Sequence, residues 1–422
     1  PPDGKPQTGN HSRAIFSMPT NSTPFFAYGD GKVQTDFEFT DQYGRGVLLQ
    51  ADGRIVVAGT NFLVRYHADG SLDTAFGTAG RVVAPFASSY GLGQVAALQA
   101  DGKILFAGTR WNAGVPSYAV ARYLADGTLD TGFGTAGIAT VSFGSSGDDC
   151  AAVTLLADGK ILLAGTTMAA GFYDYGLALL DADGAPVSTF GSGGQVITDF
   201  GIAGDQARAL AVQADGKILV TGWSHADPGF ASTDFSLARY NADGSLDGGF
   251  GTGGKLTADI AAADSGSAVA VQPDGKIVVV GTSSGDIVVL RYNADGTPDT
   301  GFDADGKAVV SLLPYDSGTC VALQPDGKIL VGGQTADAGS SRFALLRFNA
   351  DGTLDDGFGT GGIVQTAFGS GFYAGDSTAY GIAVQPDGKI VLSGTAFAGG
   401  TRDIGLARYN RDGSLDLSFD SV

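Results

Sequence analysis

The sequence predicts an all-β protein made of seven repeated units, and three observations lead to this prediction. The first is the choice of acidic residue, because 43 of the 44 acids are Asp and only Glu38 is a glutamate, beside 68 Gly. Asp bonds to nearby backbone and favours turns, whereas Glu favours helix interiors. The other two observations are two motifs that each recur seven times in a fixed order, with a period of about 55 residues. Short strands joined by frequent turns follow from this pattern.

The first motif predicts a β-hairpin. It reads Gln-Pro-Asp-Gly-Lys-Ile-Val-Val-Val-Gly-Thr over residues 272–282, and an alternating run precedes it at residues 268–271. The Asp-Gly pair favours a tight turn, so the apolar run after Lys276 returns as a second strand. The Asp of this motif recurs at Asp52, Asp101, Asp158, Asp215, Asp274, Asp326 and Asp387.

The second motif predicts the other half of each unit. It reads Arg-Tyr-Asn-Ala-Asp-Gly-Ser-Leu-Asp over residues 239–247 and ends at Phe250. A third strand runs into this turn, and the chain then reverses into a fourth strand of the type seen at residues 194–200. Four antiparallel strands in a unit of this length are typical of a propeller blade. The sequence therefore predicts a seven-bladed β-propeller of four-stranded antiparallel blades.

The two ends of the chain predict how the ring closes. The last unit stops at residues 418–420, before its fourth strand, whereas residues 31–37 form a fourth strand that lacks the other three. Joined, they complete one blade in a three-plus-one closure that removes exposed sheet edges. The propeller is expected over residues 29–422, after an N-terminal arm or linker at residues 1–28. The blades are expected at approximately 44–86, 91–143, 149–200, 205–260, 264–312, 317–368, and 376–422 plus 31–37.

The two motifs resemble the delta-sixty repeat, a bacterial β-propeller repeat, over about residues 29–422. The third unit departs most from the pattern, because Leu179-Leu180-Asp181 stands where other units have Arg-Tyr-Asn, and Val187 replaces the next Asp. The resemblance implies a secreted or cell-surface bacterial protein with flanking domains of a larger surface protein. It implies no catalytic residues.

Charge and composition argue against several classes of partner and site. The net charge of −19 and the absence of any Lys/Arg run disfavour nucleic acid and anionic membranes. No apolar stretch is long enough for a membrane helix, so no membrane insertion is expected. Three His and two Cys exclude structural zinc. Cys150 and Cys320 are expected to be buried free thiols in non-adjacent blades.

A set of six Asp residues is predicted at the start of the innermost strands, at one mouth of the central channel. They stand ten or eleven residues before the hairpin Asp in every unit but the second. Two interpretations are open, namely capping of the strands or binding of a hard cation such as Ca²⁺. The six residues are Asp41, Asp148, Asp205, Asp264, Asp316 and Asp376. Small residues follow at alternate positions of the same strands, such as Gly44 and Gly46 or Ala207 and Ala209.

The loops between second and third strands share this mouth and differ most from unit to unit. Variation of this kind usually carries function on a repeated scaffold. Their aromatic rings either bind a protein or glycan ligand or fold onto the blade tops. The candidate ligand-binding residues are Trp111, Tyr173, Trp223, His225, Asp227, Phe230, Tyr315 and Tyr373.

The sequence thus indicates a non-catalytic secreted or cell-surface propeller that serves binding, adhesion or assembly. His225 and Asp227 lie beside Ser224, but neighbours in sequence rarely form a triad, and no nucleophile elbow is present. The alternative is a polysaccharide-acting hydrolase or lyase that uses Asp residues on the same face, such as the pair Asp148-Asp149.

Overall fold

The structure is a computed structural model that describes residues 25–27, 29–37, 41–86, 96–169, 171–201, 203–225, 227, 229, 231–337, 339–368, 377–398 and 401–420. Over these residues, 29 strands form seven antiparallel sheets and no helix is present. The predicted seven-bladed propeller is confirmed. No helix in this part of the chain has the length and apolar character to cross a bilayer.

The strands follow one another blade by blade. The N-terminal strands are β1 (Phe25–Ala27) and β2 (Lys32–Thr35). Blade one contains β3 (Gly44–Leu49), β4 (Ile55–Gly59), β5 (Phe62–Tyr66) and β6 (Arg81–Val83), and blade two contains β7 (Ala96–Leu98), β8 (Ile104–Asn112), β9 (Val115–Tyr123) and β10 (Ile138–Val141). Blade three contains β11 (Asp149–Leu155), β12 (Ile161–Ala169), β13 (Phe172–Leu180) and β14 (Gln195–Thr198).

The remaining blades repeat the same order. Blade four contains β15 (Asp205–Val212), β16 (Ile218–His225), β17 (Thr233–Tyr240) and β18 (Lys255–Ala258). Blade five contains β19 (Asp264–Val271), β20 (Ile277–Ser283), β21 (Asp286–Tyr292) and β22 (Lys307–Val310). Blade six contains β23 (Ser317–Leu323), β24 (Ile329–Ala336), β25 (Ser341–Phe348) and β26 (Ile363–Thr366), and blade seven contains β27 (Thr378–Val384), β28 (Ile390–Ala398) and β29 (Thr401–Tyr409).

Blade seven closes as the chain ends predict. Strand β2 pairs antiparallel with β29, with Lys32 opposite Ala407 and Thr35 opposite Ile404. Strand β1 pairs in turn with β2, so this sheet has five strands in the order β1-β2-β29-β28-β27. The three-plus-one closure is confirmed, and β1 adds an outer strand from the segment expected to be an arm or linker.

The first strands of the blades surround the axis. Each first strand contacts the first strand of the next blade, from β3 and β7 round to β27 and β3. Residues of these strands are half-buried toward their hairpin ends, whereas the second strands are almost fully buried. The hydrophobic core lies between adjacent blades, as where Val56 of blade one packs with Phe106 of blade two. The inner strands therefore line a channel, and the core forms a ring around them.

A β-bulge interrupts the first strand at the same place in six blades, and the corresponding residues of blade two lie outside the described ranges. A bulge leaves one residue unpaired and bends the strand. The bulged strand lies so close to its neighbour that a Cβ on Gly222 would lie 1.8 Å from the Gln206 carbonyl oxygen, which explains a Gly there. The bulged residues are Arg45, Ala151, Arg208, Ser267, Thr319 and Tyr380.

Most of the repeated Asp residues have structural roles in turns. In all seven hairpins of the first motif, the Asp carboxylate accepts a hydrogen bond from the backbone N–H two residues later, as Asp274 does from Lys276 at 3.1 Å. In the second motif Asp243 accepts bonds from both the backbone and the hydroxyl of Ser245. This is the local bonding for which Asp is favoured in turns.

The Arg of the second motif joins each blade to the next, in an arrangement we call the blade clasp. Arg239 bonds through Nε to Asp247, donates through a terminal nitrogen to the Ala294 carbonyl of the next blade, and lies over the Phe250 ring. Six blades share this geometry, with Nε to carboxylate distances of 2.6–2.8 Å. The six arginines are Arg65, Arg122, Arg239, Arg291, Arg347 and Arg408.

Blade three has an apolar pair in place of the clasp. Leu179 and Val187 occupy the positions of the Arg and of the Asp eight residues later, so both members of the ion pair are replaced together. The backbone is unchanged, because the Val187 N–H donates to the Leu179 carbonyl at 2.9 Å, as Asp247 donates to Arg239. A buried ion pair exchanged for a packed apolar pair is often neutral for stability.

Candidate binding site at the channel mouth

The mouth face is the end of the propeller that carries the hairpins between second and third strands. These hairpins extend furthest in blades two, three and seven, and in the first two of these Trp111 pairs with Pro116 and Tyr173 pairs with Met168. Trp111 and Tyr173 are each 40% exposed. The extension follows from the sequence, since strands of nine residues form these hairpins and β4 and β5 have five.

The blade-four hairpin holds its aromatic groups more closely. Trp223 is half-buried, and its ring meets that of His225 edge-on at 5.1 Å between centroids. The His225 Nδ1 lies 3.2 Å from the Ser232 carbonyl oxygen. The Asp227 carboxylate accepts hydrogen bonds from Ser232 and Gly229, and the bond from the Ser232 hydroxyl is the largest contribution that lowers the pKa of Asp227. Asp227 therefore holds the loop in shape.

Tyr315 lies on the same face, in the connection between blades five and six. It is 60% exposed, and its backbone N–H donates to the Ala336 carbonyl at 3.1 Å. Phe230 and Tyr373, also predicted as ligand-binding residues, lie outside the described residues. The structure thus brings Trp111, Tyr173 and Tyr315 to one face as exposed rings.

Four of the six predicted Asp residues are buried at the start of the inner strands, each at most 2% exposed. They accept hydrogen bonds from the backbone of the preceding connection, namely Asp148 from Phe143, Asp205 from Phe200, Asp264 from Ile260 and Asp316 from Leu312. Asp41 is exposed and bonds to Arg402 at 2.8 Å, and Asp376 lies outside the described ranges. These bonds are those of the capping interpretation.

Asp205 and Asp264 each also belong to a group of three carboxylates, which we call a carboxylate trio. Asp205 lies with Asp174 and Asp199, and Asp264 lies with Asp234 and Asp259, with the oxygen atoms of each trio within 4.8 Å of one another. One member comes from a third strand, one follows the fourth strand, and one begins the next blade. Among the described residues, neither group combines two of the six predicted residues.

Burial and repulsion between carboxylates raise the pKa of Asp205 in the first trio and of Asp403, which lies outside both trios. Burial, followed by the charges of Asp199 and Asp174, raises the pKa of Asp205 to about 7. Burial and the charges of Asp36 and Asp41 similarly raise the pKa of Asp403 to about 7. Carboxylates with this electrostatic cost are suited to hold a hard cation, because its charge offsets the repulsion.

The channel wall carries two arginines that the sequence analysis missed, together with Asp149, which it named. Arg45 and Arg208 are both bulged residues, and each is half-buried on a first strand. The Arg45 guanidinium lies 4.3 Å from the ring centroid of Tyr380 and 5.3 Å from that of Tyr43. Asp149 begins β11 and accepts a hydrogen bond from Thr109 at 2.5 Å. The sequence signal that could have revealed the two arginines was the presence of an Arg in strands that otherwise carry small or apolar residues at the inner positions.

Both cysteines are buried free thiols, as the sequence predicts. Burial is the main cause that raises the pKa of each, to about 12 for Cys320. They pack in the interior and do not form part of the mouth face.

The fold defines a closed seven-bladed β-propeller with exposed aromatic hairpins on one face and a charged axial channel. The family model described as a β-propeller domain of unknown function, DUF5122, matches residues 50–76, 99–133, 156–190, 213–250, 272–302, 324–358 and 385–419. The chain belongs to this β-propeller repeat family. No curated protein matches the chain.

Several solved structures follow a similar chain course at low identity. The polysaccharide lyase Uly1 is 10% identical, with a TM-score of 0.49 over 87% of this chain and 90% of the lyase. A PL25 ulvan lyase is 12% identical, with a TM-score of 0.47 over 93% and 97%. A gluconolactonase from Xanthomonas campestris is 14% identical, with a TM-score of 0.40 over 75% and 87%. At identities and TM-scores this low, the likenesses carry no conclusion about activity, ligand or metal.

Proposed function

We propose that the chain is a non-catalytic binding module whose ligand, a protein or a glycan, docks on the mouth face. The observation that carries the proposal is the exposure of Trp111, Tyr173 and Tyr315, which are 40–60% exposed on one face. Large aromatic side chains are over-represented among the residues that dominate binding energy, and their rigid rings stack on sugars or fill a partner's pockets. The delta-sixty resemblance further supports a secreted or cell-surface module within a larger surface protein.

The test removes the exposed rings and compares them with exposed apolar residues elsewhere. Trp111→Ala with Tyr173→Ala is expected to abolish binding in a screen of immobilised glycans and surface proteins. Leu124→Ala and Leu417→Ala serve as matched controls, because these side chains are exposed beside the turns at the opposite end of the blades. Equal binding by both pairs of variants would refute the proposal.

The alternative of a polysaccharide-acting hydrolase or lyase requires an acidic side chain that a saccharide can reach. Asp148, Asp205, Asp264 and Asp316 are buried and hold backbone N–H groups, which argues against them as general acid or base. Asp149 is half-buried, and burial raises its pKa. Release of reducing ends or unsaturated products from a polysaccharide panel, lost in Asp149→Asn, would favour the enzyme.

We propose that the two carboxylate trios bind Ca²⁺. Three Asp oxygens within 4.8 Å of one another match the oxygen ligands and negative charge that Ca²⁺ takes. Addition of Ca²⁺ is expected to raise the thermal unfolding midpoint, and Asp205→Asn with Asp264→Asn is expected to remove that shift. Asp356→Asn, at an exposed site outside the trios, is the control. An identical shift in all variants would contradict this assignment.

A further inference from the structure

We propose that the wall of the central channel holds a second site, in which Arg45 and Arg208 bind a singly charged carboxylate. The site goes beyond the binding of a ligand by the exposed rings of the mouth face. It is made from bulged residues on the first strands of blades one and four, so it forms only when the ring closes.

The two arginines stand at equivalent positions of the channel wall. They belong to blades that are separated by two others. Burial is the main cause that lowers the pKa of Arg208; the charge of Asp149 opposes this, and the charge of Arg45 adds to the lowering with a smaller effect than that of Asp149. Both side chains stand at the same register position, where the bulge turns an extra residue out of the strand pairing. Among the described residues, the first strands that carry both positions surround the axial channel.

The charge of the channel wall suits a single negative charge. Apart from Asp205 and Asp264, which bond to their own connections, the first strands carry Arg45, Arg208 and Asp149 as charged residues. The five residues 91–95, which precede β7, contribute no charge in the sequence. Two cations and one anion leave one positive charge in a protein whose total charge is −19. A monoanion therefore neutralises the wall, whereas a second anionic charge would be repelled.

The geometry of the side chains favours a carboxylate. Arg208 donates to the Gln206 side-chain oxygen at 3.3 Å, and its Nε is buried with no acceptor among the described residues. The guanidinium fork matches the two oxygens of a carboxylate. The Arg45 guanidinium lies 4.3 Å from the Tyr380 ring centroid and 5.3 Å from the Tyr43 ring centroid, so two aromatic rings stand beside the group that would bind the carboxylate. The class of ligand is thus a small organic acid or the acidic end of a larger one.

The test titrates the full chain with sodium acetate and with the sugar acid sodium D-glucuronate by calorimetry at low ionic strength. Neutral D-glucose and sodium chloride are the reference solutes. Saturable binding of either carboxylate is expected, and Arg45→Gln and Arg208→Gln are each expected to weaken it about tenfold or more, because each removes charge-assisted hydrogen bonds. Arg208→Lys keeps the charge without the fork and is expected to give an intermediate loss.

The controls separate this site from the rest of the molecule. Asp149→Asn removes the opposing charge and is expected to tighten binding, a change that partial misfolding would not produce. Arg342→Gln, on the outer part of blade six, and Trp111→Ala are expected to leave the affinity unchanged. Absence of saturable carboxylate binding, or equal affinity in the Arg45→Gln, Arg208→Gln and wild-type proteins, would overturn the proposal. Loss of binding in Trp111→Ala alone would assign the carboxylate to the mouth face instead.

Discussion

The blade clasp can be tested by copying into blade four the apolar pair that blade three carries. Arg239 and Asp247 have side chains that are 7% and 13% exposed, and their Nε to Oδ2 distance is 2.8 Å. Removing one member of a buried ion pair costs about 3–5 kcal/mol because the other charge is left uncompensated, whereas replacing both by packed apolar residues is often neutral. Asp247→Val is therefore expected to cost about 3–5 kcal/mol of unfolding free energy.

Arg239→Leu is expected to cost somewhat less, about 3 kcal/mol, because Asp247 keeps its bond to Lys217 at 2.7 Å. The double variant Arg239→Leu with Asp247→Val reproduces Leu179 and Val187, and its stability is expected to lie within about 1 kcal/mol of the wild type. The pair then shows a coupling energy of several kcal/mol in a double-mutant cycle.

The assay is guanidinium chloride denaturation followed by tryptophan fluorescence, to which Trp223 of the same blade contributes. The reciprocal variant Leu179→Arg with Val187→Asp builds a clasp in blade three and serves as the matched comparison. A double variant whose loss equals the sum of the single losses would refute the reasoning, because it would show that the apolar pair does not replace the clasp.

Three further predictions follow from the fold and its buried groups. The pKa values of Asp205 and Asp403 are raised to about 7 in the folded protein, against about 4 in the unfolded chain. The contribution of these two groups to the free energy of unfolding is therefore fully present below pH 4 and is lost as the pH rises to about 7. The thermal unfolding midpoint measured in EDTA should fall over this pH range, and it should fall less steeply in the double variant Asp205→Asn with Asp403→Asn. An equal dependence on pH in the wild type and the double variant would contradict the prediction. Deletion of residues 1–37 removes β2 and exposes the edge of β29, so light scattering should detect association, and a monomer of unchanged melting temperature would count against the closure argument. Cys150 and Cys320 should react with a thiol reagent only on denaturation, since both are buried and their pKa values are raised, and rapid labelling of the native protein would disprove this.

The fold could be predicted from the sequence because its two motifs describe local turns. Asp274 accepts a bond from a residue two positions away, so its role is visible in a single repeat. The small residues noted in the inner strands, such as Ala207 and Ala209, flank the bulge. The bulge itself was not visible, because one inserted residue shifts the alternation of side chains and the strand is too short for that shift to stand out in the sequence.

The functional candidates were less accessible to sequence reasoning because they combine distant parts of the chain. Asp36 and Asp403 come together only through the closure of blade seven, and Arg45 and Arg208 share one channel wall only because the blades form a ring. The departures of Leu179 and Val187 from the repeated motif were visible in the sequence. That these two residues replace the two partners of one ion pair was not visible, because the partners of the clasp stand at opposite ends of a turn. Exposed rings such as Trp111 were found from the variation of the hairpins.

The blade clasp also has a direction, since each arginine donates to the blade that follows, and Arg408 returns to the Ala68 carbonyl of blade one. A head-to-tail contact of this kind either closes on itself or continues without end. The number of units is therefore set by the rotation at each junction, and one unit cannot be gained or lost without adjustment of the others. An incompletely closed chain would present an arginine donor at one end and its acceptor at the other, a geometry that favours linear polymers of successive chains.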